Sequence, residues 1–137
     1  LIIEQGKITS AEKTQIAKDQ LFTYAAAVKK VVDGDTLVAA LDFKNTFSIS
    51  QKMRLRGIDC PELDTEEGKK AKRFVEARLK NCEFIIVKTY KDRTDRFDRY
   101  LADIFYLPGV TDESIVAAQG KYLNQELLDE RLAVVYE

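Results

Sequence analysis

Three short stretches of this 137-residue chain gather carboxylates and guanidiniums at the ends of strand-like segments. The first is Asp33-Gly34-Asp35-Thr36, where Asp35, just inside a following strand, can offer a carboxylate to a hard cation. The same tetrapeptide is also a common hairpin turn. The second is Arg54-Leu55-Arg56-Gly57-Ile58-Asp59-Cys60-Pro61-Glu62. Strand alternation puts Arg54, Arg56 and Ile58 on one face and Leu55, Gly57 and Asp59 on the other. Pro61 ends the ladder and stiffens the corner from which Glu62 projects. An anion-plus-metal site and a surface salt-bridge cluster are both open readings of this stretch. The third is Arg93-Thr94-Asp95-Arg96-Phe97-Asp98-Arg99, read either as a solvated loop or as a phosphate grip. In the second reading Arg99 takes the phosphate, and Arg96 and Phe97 line a nucleotide.

The composition narrows the chemistry. There is no histidine, so histidine relays, histidine general bases and His-containing zinc sites are excluded. Two cysteines, Cys60 and Cys82, are too few for a disulfide scaffold and too distant for a metal knuckle. What remains is carboxylates, guanidiniums, lysines and hydroxyls. The ordered set Asp…Arg…Asp…Glu…Arg suits phosphodiester hydrolysis. Two or three hard oxygens hold Ca2+ or a similar ion, which polarises the phosphoryl oxygen. Two guanidiniums neutralise the charge of the transition state, and the last carboxylate activates water.

These stretches need elements to position them. Residues 21–28 read as a strand that resumes at Val31-Val32 after a Lys29-Lys30 break, and 36–41 as a second strand. Asn45-Thr46 marks a turn, and a third strand runs through Ile49, Met53, Leu55 and Ile58. After Pro61 a helix is predicted, capped by Asp64 with Glu67 at the third position, with Ala71, Phe74, Val75, Arg78 and Leu79 at helical spacing. Strands follow over 83–90 and from Arg99 through Phe105, then a loop from Leu107 to about Gly120. Asn124 opens a last helix carrying Leu127, Leu128 and Leu132. Consecutive short strands interrupted by one helix predict an α+β, mainly β domain: a five-stranded OB-fold barrel with two or three helices. That domain spans 21–137. Residues 1–20, with Thr9 and Glu12 as a capping box, predict a helical extension or linker, compatible with an upstream domain.

The net charge of −1 conceals an asymmetry: residues 44–102 carry 15 basic and 10 acidic side chains, and residues 103–137 carry 2 and 7. A basic middle implies local anion binding rather than a globally basic protein. No segment reads as a transmembrane span or a signal peptide. The chain opens on Leu1, which reads as a fragment or a processed form.

From about Tyr24 to Ala133 the chain resembles the staphylococcal nuclease family. Val32-Asp33-Gly34-Asp35-Thr36 is similar to that family's first signature, and Arg54 to Glu62 fits its R-x-x-x-x-D-x-P-E pattern. Asp95-Arg96-Phe97-Asp98-Arg99-Tyr100-Leu101-Ala102 resembles its third, with Asp98 where glycine is usual and Phe97 for tyrosine. Residues 124–128 resemble the start of its later helix. The resemblance implies an OB-fold, Ca2+-dependent phosphodiesterase that cleaves DNA and RNA with little sequence preference and leaves 3′-phosphate ends. It implies Asp35, Asp59 and the Cys60 backbone carbonyl as ligands of Ca2+, other divalent ions being alternatives. Glu62 would activate or orient the water, Arg54 and Arg99 would bind the phosphate, and Tyr136 would stand in for nucleotide-contacting tyrosines. A monomeric domain is expected, from a family often secreted or envelope-associated. Two other readings use the same residues: a nucleic-acid-binding domain without turnover, and a protein-interaction OB module.

Overall fold

The computed structural model describes residues 23–42, 48–91 and 100–136. The predicted helix over residues 10–20, the turn at Asn45-Thr46 and the cluster from Arg93 to Arg99, with Arg96, Phe97 and Asp98, lie outside the described residues. In chain order the elements are β1 (Thr23–Asp33), β2 (Thr36–Asp42), β3 (Ser48–Leu55), β4 (Ile58–Asp59), α1 (Glu66–Leu79), β5 (Ile85–Lys91) and β6 (Tyr100–Tyr106). They continue with α2 (Glu113–Gln119), β7 (Lys121–Tyr122), α3 (Leu123–Asp129) and β8 (Val134–Val135).

Five strands close a barrel, as expected of an OB-fold. The sheet order is β3-β2-β1-β5-β6, antiparallel throughout, and β6 returns to pair in parallel with β3. Among the described residues this closure pairs each of the five strands on both sides over at least part of its length. Inside lie Leu37, Met53, Leu55, Ile85, Val87 and Ile104, each 0–1% exposed. Ala71, Val75 and Leu79 of α1 plug one side of this core, and Leu123 and Leu127 of α3 another.

Five details differ from the sequence reading, the simplest being that the last helix, α3, ends at Asp129, so Leu132 lies beyond it, buried in the core. The Lys29-Lys30 break is absent: β1 is continuous, with a register shift between Val28 and Lys30. The third strand is not continuous to Ile58. It ends at Leu55, and a turn at Arg56-Gly57, with Gly57 at φ 80°, separates it from β4. That positive φ suits glycine, and the turn breaks the two-residue alternation. Ile58 is therefore buried with Leu55, not aligned with exposed Arg56. The cap of α1 is Thr65, not Asp64: its hydroxyl oxygen accepts from Gly68 N at 3.0 Å and its hydroxyl donates to Glu62 O at 2.6 Å. Finally, the loop predicted from Leu107 to Gly120 contains α2. Asp112 caps it by accepting from Ser114 N at 2.9 Å, and buried Val116 packs on Ala25 and Ile86.

Candidate functional site

Asp33 of β1 pairs with Thr36 of β2, so Gly34 and Asp35 form a two-residue turn. Asp35 thus sits one residue before β2 rather than inside it. Asp33 Oδ1 accepts from Asp35 N at 3.1 Å, which shapes the turn from within. The Asp35 side chain points inward: the residue is 7% exposed, its Oδ1 accepts from Thr36 Oγ1 at 3.1 Å, and its Oδ2 accepts from Cys60 N at 2.9 Å. This last bond ties the first cluster to the second across 25 residues of sequence. A side chain at position 34 would prevent that approach, since a Cβ there would lie 2.7 Å from Ala71 Cβ and 2.8 Å from Cys60 Sγ.

Acidic charge accumulates at this junction. Burial first, then the hydrogen bond and charge of Asp35, push the Asp33 carboxyl up to about 6. Burial likewise pushes the Cys60 thiol up to about 12, assisted by the charges of Asp35, Asp33 and Asp59 and opposed by Arg54. Three carboxylates therefore bear on one point, and Cys60 stays a neutral thiol there rather than a nucleophile.

Arg54, next to last in β3, is held on three sides. Its Nη2 donates to Ile58 O at 3.2 Å and to Asp59 Oδ1 at 3.3 Å, and the Tyr136 ring lies 4.5 Å from its guanidinium carbon. The Arg54 side chain is 13% exposed against 51% for Asp59, so the pair opens to solvent on the aspartate side. Tyr136 is placed by β8, which pairs with β4 through Val134 and Val135, and by Tyr136 N donating to Gly57 O at 2.9 Å. Glu62 presents an exposed carboxylate from a fixed backbone. Thr65 N donates to Glu62 O at 3.0 Å, and α1 abuts this carbonyl so closely that a Cβ at Gly68 would lie 2.0 Å from it.

The structure thus brings Asp35, Arg54, Asp59 and Cys60 together, with Glu62 two residues beyond on the same corner. Arg96, Phe97 and Arg99 belong to the segment outside the described residues. The strand that follows them does meet the site's scaffold: Tyr100 is in register with Met53, and Leu101 with Arg54, in the parallel β6–β3 pairing.

A second polar cluster escaped the sequence reading. Buried Asp103 accepts from Arg56 Nε and Nη2, from Tyr122 Oη and from Asn124 Nδ2. The Arg56 guanidinium also stacks on Tyr90 at 4.6 Å. Asn124 Nδ2 donates to Arg56 O and Ala102 O at 3.0 Å each, and its Oδ1 accepts from Ile104 N at 3.2 Å. The available signal was a lone acidic residue inside the otherwise apolar run Leu101-Ala102-Asp103-Ile104-Phe105. This cluster locks the Arg56-Gly57 turn to β6 and α3, and so supports the corner from behind.

A closed five-stranded barrel with Asp35, Arg54 and Asp59 gathered at one corner defines an OB-fold domain with a charged site. Residues 52–137 match the Staphylococcal nuclease homologue family, and the chain belongs to that family. The match includes the second and third clusters; the Asp33–Thr36 turn precedes it and is joined to it by the Asp35–Cys60 bond. The chain is also 36% identical, over an alignment of 105 residues, to an uncharacterized protein, MJ1439, of Methanocaldococcus jannaschii. The alignment takes in 60% of this chain and 48% of that protein, so the chain spans about half the length of the curated relative it matches. No helix among the described residues is long and apolar enough to cross a membrane.

Proposed function

We propose that the domain is a divalent-cation-dependent nuclease that hydrolyses phosphodiester bonds of DNA and RNA with little sequence preference and leaves 3′-phosphate ends. The observation that carries this reading is the Asp35–Cys60 hydrogen bond, which holds a buried carboxylate against the segment bearing Arg54, Asp59 and Glu62.

Among the described residues no group of three or more Asp, Glu or Cys side chains converges as a ready cation cage. The donors present, Asp35, Asp59 and the Cys60 carbonyl, are nevertheless all hard oxygens, which fit Ca2+ with water completing its shell of 6–8 oxygens. When bound, the ion supplies Lewis-acid polarisation of a phosphoryl oxygen. The chain's own groups do the rest. Among the described residues Arg54 spends only Nη2, on Ile58 and Asp59, so Nε and Nη1 can grip a phosphate. Arg99, outside the described residues, is assigned to the same phosphate on the likeness of the third cluster to the family's signature. Glu62, its exposed side chain without a hydrogen bond among the described residues, can accept a proton from an attacking water. Arg96 and Phe97 are assigned to the nucleotide.

The test is direct. Single-stranded DNA incubated with the purified protein and Ca2+ is expected to be cut, with EDTA stopping the reaction. Intact substrate after prolonged incubation at several pH values overturns the enzyme reading and leaves a nucleic-acid-binding domain without turnover.

A further inference from the structure

A second basic feature lies outside the site described above. The β1–β5 pairing covers only Thr23 to Ala26 on β1, so farther along the strand the edge opposite β2 faces α1 instead. Between strand and helix runs a cleft of about 690 Å3. Its floor is apolar, from Val28, Val31 and Leu79, and its rim carries Lys29, Lys30, Lys72 and Lys80 against a single acid, Glu76.

Two details show how the fold gathers these ammoniums. Adjacent residues of a regular strand face opposite ways, yet Lys29 and Lys30 are both exposed and both line this cleft. The cause is the irregularity between them: Val28 pairs with Ala39 and Lys30 with Val38, so Lys29 is an extra residue in the ladder. Bulges of this kind re-aim side chains. Across the cleft, Lys72, Glu76 and Lys80 recur every fourth residue on one face of α1. No ion pair holds any of the four lysines among the described residues. Lysines on β1 alone would discourage edge pairing, but that purpose does not call for Lys72 and Lys80 on the helix opposite.

We propose that this cleft is a backbone track for single-stranded nucleic acid, feeding the candidate catalytic corner; the inference rests on the nuclease reading and extends it. Both walls lead there: β1 continues three residues from Lys30 to Asp33, roughly 10 Å, and Ala71 of α1, next to Lys72, borders Gly34. From Lys72 to Lys80 the helix rises about 12 Å, so the ammoniums are spread along the cleft rather than gathered at one point. Lysines give phosphate attraction without base readout, so the track is indifferent to sequence.

The experiment measures binding of a 5′-labelled single-stranded oligonucleotide of about 20 nucleotides by fluorescence anisotropy, in EDTA so that nothing is cut. The variant K29Q/K30Q/K72Q/K80Q is expected to bind at least tenfold more weakly near 50 mM salt. Its log–log salt slope should flatten by about two to three, since each lysine–phosphate pairing adds about 0.7 to the slope. With Ca2+ restored, kcat on a thymidine nitrophenyl phosphodiester, too small to reach the cleft, is expected to stay unchanged. Glu76→Lys, a single exposed change, is expected to tighten oligonucleotide binding several-fold even where the quadruple variant folds poorly. Wild-type affinity and slope in a folded quadruple variant, or no tightening in Glu76→Lys, overturns the track while leaving the nuclease reading intact. Loss of binding to anionic lipid vesicles alone, with oligonucleotide affinity unchanged, also overturns it, in favour of a membrane surface. Failure of the wild-type protein itself to bind or cut any nucleic acid removes the nuclease reading, and the track with it.

Discussion

Glu62 and Asn124 mark the two ways a single residue can matter in this domain. The Glu62 carboxylate is exposed, while its backbone is fixed by Thr65 and by the close approach of Gly68. Glu62→Gln removes a proton acceptor without disturbing either restraint. Turnover is expected to fall by about 10²–10⁴-fold, the usual worth of a general base, with an unchanged denaturation midpoint in urea. Wild-type turnover would take Glu62 out of the site. Asn124 behaves in the opposite way. It is 2% exposed and bonds the carbonyls of Arg56 and Ala102 and the amide of Ile104. Asn124→Ala leaves those backbone groups without their partner, at a cost of about 1–3 kcal/mol, read as a lower urea midpoint. The Pro-Glu corner makes Glu62 legible in the sequence, whereas Asn124 is marked there only as the start of a helix. Its importance depends on β3, β6 and α3 meeting, which no local pattern encodes.

Among the elements, β8 has an influence out of proportion to its two residues. It pairs with β4 and delivers the Tyr136 ring to Arg54, so the face of the guanidinium is covered while, among the described residues, Nε and Nη1 have no partner. Cation–π contacts of this kind contribute about 0.5–1 kcal/mol at exposed sites, small for a fold but enough to bias one rotamer. Because Tyr136 is 53% exposed, Tyr136→Leu is expected to leave thermal stability nearly unchanged while raising KM several-fold, and Tyr136→Phe to restore it. Equal KM in all three proteins would show that Arg54 needs no aromatic support. Strand alternation and helical spacing make the barrel strands and α1 legible, because each has one buried face. What they miss has physical reasons. The Arg56-Gly57 turn breaks the alternation without interrupting the hydrophobic pattern, so alternation alone puts Ile58 on the wrong face. Asp64 and Thr65 are both acceptable caps by residue type, and in the fold Thr65 takes the role by accepting from Gly68 N while donating to Glu62 O. In α2, seven residues with a single buried side chain carry too weak a periodicity to stand out from a loop.

At the scale of the whole molecule, the β2–β3 pairing sets Thr36 level with Arg54 and makes the first two clusters neighbours; sequence order alone does not reveal that geometry. That pairing and the Asp35–Cys60 bond bring the charges of Asp33, Asp35 and Asp59 to bear on the Cys60 thiol, a local excess of negative charge inside a chain whose net charge is only −1. A divalent cation bound to folded protein and not to unfolded chain relieves that excess and shifts the folding equilibrium by mass action. At free Ca2+ about 100-fold above its Kd the gain is roughly 2.7 kcal/mol, which for a domain of this size raises Tm on the order of 10 °C. Asp35→Asn is the informative variant. The amide oxygen can still accept from Cys60 N, and the Thr36 hydroxyl can accept where it formerly donated, so the turn keeps its bonds while losing its charge. In thermal denaturation with increasing Ca2+, the wild-type Tm should climb and that of Asp35→Asn should stay nearly flat. Parallel curves for the two proteins would remove Asp35 from the cation site, and a flat wild-type curve would remove the site itself.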